Sequence, residues 1–118
     1  MQNRPYQKLI TWQESHNLCV NIYAITKTYP PDERYGLVSQ MRRSASSVPT
    51  NIAEGNERRS PKDKAHFLTI AKASLEELHY QCFLSRDLNI ISDEYFKEVN
   101  GHIQRISYLI SKQRESLL

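Results

Sequence analysis

Apolar residues recur along the chain at intervals of three and four, the spacing that brings side chains onto one face of an α-helix. Trp12, Leu18, Ile22, Ile25 and Tyr29 make a first stripe, and Leu37, Met41, Ala45, Val48 and Ile52 a second. Phe67/Leu68, Ala71, Leu75, Leu78 and Cys82 form a third; Phe96, Val99, Ile103, Ile106, Ile110 and Leu117 form a fourth. No stretch alternates apolar and polar residues for long enough to suggest a strand. The pattern predicts helices over about 12–29, 33–56, 61–88 and 93–115. Short connections favour antiparallel neighbours, so the expected fold is all-α: one domain, 1–118, built as an up-and-down four-helix bundle.

The polar residues between the stripes punctuate these helices. Thr11 and Glu14 have the T-x-x-E spacing of a capping box, which places the first helix start at Thr11. Pro30-Pro31 ends that helix, because neither residue can donate a backbone bond. Asp32 is the expected N-cap of the second helix, with Glu33 in its first turn. Pro49 falls inside this helix and costs about 3 kcal/mol there, yet the stripe keeps its phase beyond it; a kink is expected, not a stop. Gly55 or Asn56 closes the helix. Ser60-Pro61-Lys62-Asp63 opens the third, with Ser as cap, Pro at the first helical position and an acid at the third. Asn89 suits its C-terminal cap. Ser92, Asp93 and Glu94 open the fourth, and Lys112 and Arg114 complement its dipole at the far end.

The second helix carries a further row beside its apolar stripe: Gln40, Arg43, Ser47, Asn51, Glu54 and Arg58. Such a row can be a solvated face. Its mixture of amide, hydroxyl, acid and guanidinium also fits a hydrogen-bonded seam, against the third helix or against another subunit. Ser74, Glu76 and Glu77 are the expected partners.

Composition agrees with a globular chain: of 118 residues, 39% are apolar and 25% charged, with only 3 glycines and 5 prolines. No run approaches the roughly 18 apolar residues of a membrane span, and the N-terminus lacks the apolar core of a signal peptide. Cys19 and Cys82 fall on apolar helix faces without metal-ligand spacing, so they read as reduced core residues of a cytoplasmic protein, in preference to a disulfide. Net charge is +3. From Arg34 to Lys64 the balance is 7 − 3 = +4, leaving 3 − 4 = −1 for the rest. Arg42, Arg43, Arg58, Arg59, Lys62 and Lys64 are therefore the candidate nucleic-acid contacts. Tyr35, Tyr80, Tyr95 and Tyr108 are not interleaved with them in sequence, which gives no support to a base-stacking platform.

Catalytic chemistry finds little footing. A di-iron bundle needs Glu-x-x-His on two helices and a Glu on each of two others. Glu76-x-x-His79 has that spacing and Asp63-x-x-His66 nearly so, but both lie on the third helix; the fourth has only Glu98 and His102, one residue too far apart. No glycine-rich phosphate loop occurs, His16, His66, His79 and His102 are scattered, and neither a metal nor a cofactor is implied.

Tyr35, Gly36, Leu37, Gln40, Arg42, Arg43, Ser47, Val48, and then Asn51-Ile52-Ala53-Glu54-Gly55, resemble the core signature of the 23S ribosomal RNA intervening-sequence proteins. Arg59, Phe67, Leu68, Ile70, Ala71, Ser74, Glu77 and Leu78 extend the likeness, as do Trp12 and Tyr29-Pro30 with Glu33. Departures are Ser44, where alanine is usual, and Ala73, where glycine is common. The resemblance implies an antiparallel bundle assembled as a ring-like homopentamer. More distant relatives are accessory proteins of diversity-generating retroelements, which bind a reverse transcriptase and nucleic acid.

Two functions remain in competition ahead of an enzyme. One is an oligomeric scaffold that binds RNA, DNA or a ribonucleoprotein through a basic ring. The other is a protein-interaction module with no nucleic-acid role, for which Ile10, Val20, Tyr23, Ile70, Tyr108 and Leu109 are candidate subunit contacts.

Overall fold

The structure is a computed structural model and describes residues 3–118. Four α-helices, α1 (Ile10–Thr26), α2 (Ser39–Asn56), α3 (Pro61–Asp87) and α4 (Asp93–Glu115), pack in an up-and-down bundle of 43 × 30 × 20 Å. Each helix packs on the next, and α4 returns to α1 to close the ring; α2 and α3 form the most extensive pair. Side-chain bonds at matching heights fix the antiparallel sense: Thr11 meets Gln113 across α1 and α4, and Lys72 meets Ser111 across α3 and α4.

The apolar stripes become the core. Leu18, Ile22, Met41, Val48, Ile52, Leu75, Leu78, Ile106 and Ile110 are all essentially inaccessible. Trp12, Ile25 and Phe67 sit at the margin, half-buried. Each large aliphatic side chain buried in this way stabilises the fold by about 1.5–3 kcal/mol. The α2 helix runs through Pro49 and ends at Asn56, as its stripe and Gly55-Asn56 suggest. At Gly55 the two backbones come close: an added Cβ would stand 2.7 Å from Phe67 Cβ.

The strongest caps form as the sequence indicates. Ser60 Oγ accepts the Asp63 N–H at 3.0 Å, and Ser92 Oγ accepts that of Tyr95 at 3.0 Å. Asn89 takes a left-handed conformation (φ 59°); its N–H donates to Arg86 C=O (2.9 Å) and the Ile90 N–H to Ser85 C=O (2.8 Å), a Schellman closure of α3.

Three expectations at helix ends need correction. Thr11 and Glu14 do not cap α1. The helix begins earlier, at Ile10, behind a 3₁₀ turn (Pro5–Lys8), and Thr11 points inward to donate to Gln113 Oε1 at 2.6 Å. Glu14 faces α4 as well, 3.1 Å from His102 and 3.3 Å from Arg105. The α1 helix also stops at Thr26 and not Tyr29: three successive N–H groups bond back to residues 24–26 in a tightened turn, which turns Tyr29 into the core. Nor is Asp32 the cap of α2. It lies in a 3₁₀ turn (Pro31–Glu33) that leads into a π-helical turn (Arg34–Val38), and the Glu33 carboxylate accepts the Leu37 N–H at 3.3 Å.

Candidate nucleic-acid interface

The six basic residues singled out in the sequence divide between the two ends of α2. Arg42 to Asn56 spans about 21 Å of helix, so Arg42 and Arg43 stand far from Arg58, Arg59, Lys62 and Lys64, which surround the α2–α3 turn. They do not form one patch on a single chain.

Arg42 is the most constrained of them. Its Nε donates to Thr26 Oγ1 (2.9 Å), one Nη donates to Tyr23 C=O (3.2 Å), and the guanidinium lies over the Tyr23 ring at 4.7 Å. Thr26 is itself buried and donates to Ile22 C=O at 2.6 Å. These bonds tie the end of α1 to α2 and fix the guanidinium in place. Arg43 is exposed one residue further round the helix. At the other end Arg58 covers the Phe67 ring at 4.6 Å, Arg59 and Lys62 are exposed, and Lys64 is half-buried beside Gly55.

Between α1 and the π-helical turn lies a groove of about 440 Å³ whose walls carry Tyr23, Arg34, Tyr35, Arg42, Arg43 and Ser46. Tyr35 is 87% exposed, with the Arg34 guanidinium 5.5 Å from its ring centre. Aromatic rings are thus interleaved with arginines in space although they are not in sequence. The turn between α1 and α2 folds Tyr23 back against Arg42, a pairing across nineteen positions that no local pattern announces. On the other flank of Arg43 a second groove, shared with α3, holds Gln40, Glu77, Tyr80 and Gln81.

The polar row on α2 resolves into two parts. Ser47 Oγ lies 2.9 Å from Ser74 Oγ, and Asn51 Nδ2 donates to Ser47 C=O (2.8 Å) and Ser47 Oγ (3.0 Å), a half-buried seam between α2 and α3. Gln40, Arg43, Glu54 and Glu77 are instead exposed. The sequence reading missed a deeper ladder one step round the helix. Ser44 donates to Gln81 Oε1 (2.6 Å), while Ser85 donates to Gln81 C=O (2.8 Å) and lies 2.9 Å from the Tyr29 hydroxyl. Ser44 and Gln81 fall at stripe-adjacent positions and could have been paired from their complementary groups.

Both cysteines carry free thiols. Burial pushes the Cys82 thiol up to about 12 and also raises that of Cys19, so burial disfavours the thiolate form of each. Burial likewise pushes the Tyr95 phenol up to about 12. Among the described residues, no three His, Cys, Asp or Glu side chains come together as a metal site; His79 packs on Phe96, 5.9 Å between ring centres. No helix of the described residues is long and apolar enough to cross a membrane.

This is a four-helix bundle in which Arg34, Arg42 and Arg43 line a groove beside α1. The chain belongs to the 23S rRNA-intervening sequence protein family, whose model matches residues 7–112. It is similar in fold to a solved protein of unknown function from the S23 ribosomal protein family of Bacteroides thetaiotaomicron VPI-5482. The TM-score is 0.80 at 22% identity, covering 89% of this chain and 98% of that one. No curated protein matches the chain.

Proposed function

We propose that the chain is a non-enzymatic helical scaffold that assembles with copies of itself and holds RNA or DNA, alone or within a ribonucleoprotein. One observation carries this reading: none of Arg42, Arg43, Arg58, Arg59, Lys62 and Lys64 forms an ion pair among the described residues. Their charge stays available to an external anion. In a closed ring such as the homopentamer expected for this family, the two separate basic ends of α2 repeat on every subunit, and modest patches become a basic circuit. Contacts of this kind hold a phosphate backbone without reading sequence. A reverse transcriptase is the protein partner that the family's distant relatives suggest.

Binding of a short structured RNA, followed across a salt series, tests the reading. Log affinity should fall with log salt by about 0.7–0.9 for each phosphate neutralised. An affinity indifferent to salt would remove the basic residues from the account.

A second reading, a protein-assembly module without nucleic acid, draws on the outer apolar side chains. Ile10, Val20, Tyr23 and Tyr108 are exposed, Val20 by 54%, whereas Ile70 and Leu109 are half-buried. An oligomer that leaves RNA untouched would select this reading.

A further inference from the structure

We infer that the groove between α1 and the π-helical turn is a site for single-stranded nucleic acid, with phosphate on Arg42 and Arg43 and a base stacked on Tyr35. The inference rests on the reading that the chain holds nucleic acid, and adds which form it takes and where. Four features of the groove carry it. It presents three arginines, Arg34, Arg42 and Arg43, none of them ion-paired among the described residues. The neighbouring carboxylate of Glu33 is turned onto the Leu37 N–H; a Cβ at Gly36 would stand 3.2 Å from that carboxylate, so the glycine leaves it room to sit there.

The Arg42 guanidinium is already ordered. Two of its five N–H donors are committed to Thr26 and Tyr23, and the rest point from a fixed position. A phosphate bound there meets donors whose ordering cost is met by the fold itself. Ser46 adds a hydroxyl on the same wall.

Tyr35 decides the class of ligand. A ring 87% exposed on the rim of a cationic groove offers a π-face that every base can use, and a duplex keeps its bases inside its own stack. The groove also lacks the exposed aliphatic floor that a folded protein partner would bury, since Val38 is itself buried. An acidic peptide would satisfy the arginines but leave the Tyr35 ring without a partner.

The experiment uses the full chain and fluorescence anisotropy at low salt. Probes are labelled ten-nucleotide oligouridine and oligoadenosine, a duplex RNA of equal charge, and a polyglutamate peptide of equal charge. Both single strands are expected to bind at least ten-fold tighter than the duplex or the peptide. Tyr35→Leu, a change at an exposed position, should weaken single strands about ten-fold and leave the duplex unaffected. Arg34→Gln with Arg43→Gln should weaken every probe, and Lys97→Gln, an exposed change on α4, should spare this preference. Equal binding of single strand and duplex, or a Tyr35→Leu variant that binds like the parent, overturns the groove while leaving the scaffold reading intact. Preference for polyglutamate overturns it in favour of an acidic protein partner. No binding of any nucleic acid overturns both.

Discussion

The Ser44 hydroxyl donates a 2.6 Å hydrogen bond to Gln81 Oε1 inside the bundle, joining α2 to α3 where both side chains are buried. This bond explains how a hydroxyl stands inside the bundle: it answers an amide that would otherwise lack a partner. Ser44→Ala should therefore cost about 1–3 kcal/mol, the penalty of leaving Gln81 unsatisfied. Ser44→Ala combined with Gln81→Leu should recover most of that loss. Denaturant unfolding of the two single variants and the double variant checks the coupling; additive effects would mean the bond contributes nothing specific.

Gly55 allows the end of α2 to rest on α3. Because an added Cβ would meet Phe67 Cβ at 2.7 Å, Gly55→Ala should destabilise the chain by about 1–3 kcal/mol despite its better helix propensity. Phe67→Gly removes that Cβ, so Gly55→Ala should cost less in that background. Thermal unfolding of all four combinations reads the difference.

Stability should fall in alkali. The folded chain holds the Cys82 thiol at about 12 against an ordinary 9.0, and the Tyr95 phenol at about 12 against 10.0. Between those values the unfolded chain loses protons that the folded chain keeps, so unfolding free energy declines as pH rises from about 9 towards 12. Cys82→Ala should flatten the first part of that decline, seen as a shallower fall of the denaturant midpoint with pH. The thiol should also resist alkylation at pH 8 until the chain is unfolded.

Glu14 ties the start of α1 to α4 through His102 and Arg105. The arginine is over half exposed, so the ion pair itself is worth little, about 0–1 kcal/mol. Glu14→Gln should accordingly shift the melting temperature only slightly, whereas Thr11→Val, which strips the half-buried Gln113 of the bond from the buried Thr11 hydroxyl, should cost more.

What the sequence made legible was what depends on near neighbours. The apolar stripes, the Ser60 and Ser92 caps and the Asn89 closure are all set within about one helical turn, and the structure has them where they were expected. Thr11 misled because capping residues are equally at home inside a helix when a partner helix supplies the hydrogen bond, as Gln113 does. Asp32 misled because the chain winds through 3₁₀ and π-helical turns before settling into α2, which shifts the capping role to Glu33. The basic residues were identifiable one by one. Their separation into two ends, and the meeting of Tyr23 with Arg42, follow from how α1 packs on α2 and could not be read from spacing.

The most direct test of the central claim, a self-assembling scaffold that holds nucleic acid, is light scattering coupled to size exclusion, with and without a short structured RNA, at low and moderate salt. The account predicts an oligomer several times the 13.8 kDa chain, near five-fold, that gains mass with RNA and loses it as salt rises. A monomer, at every concentration tested and with or without RNA, would contradict it.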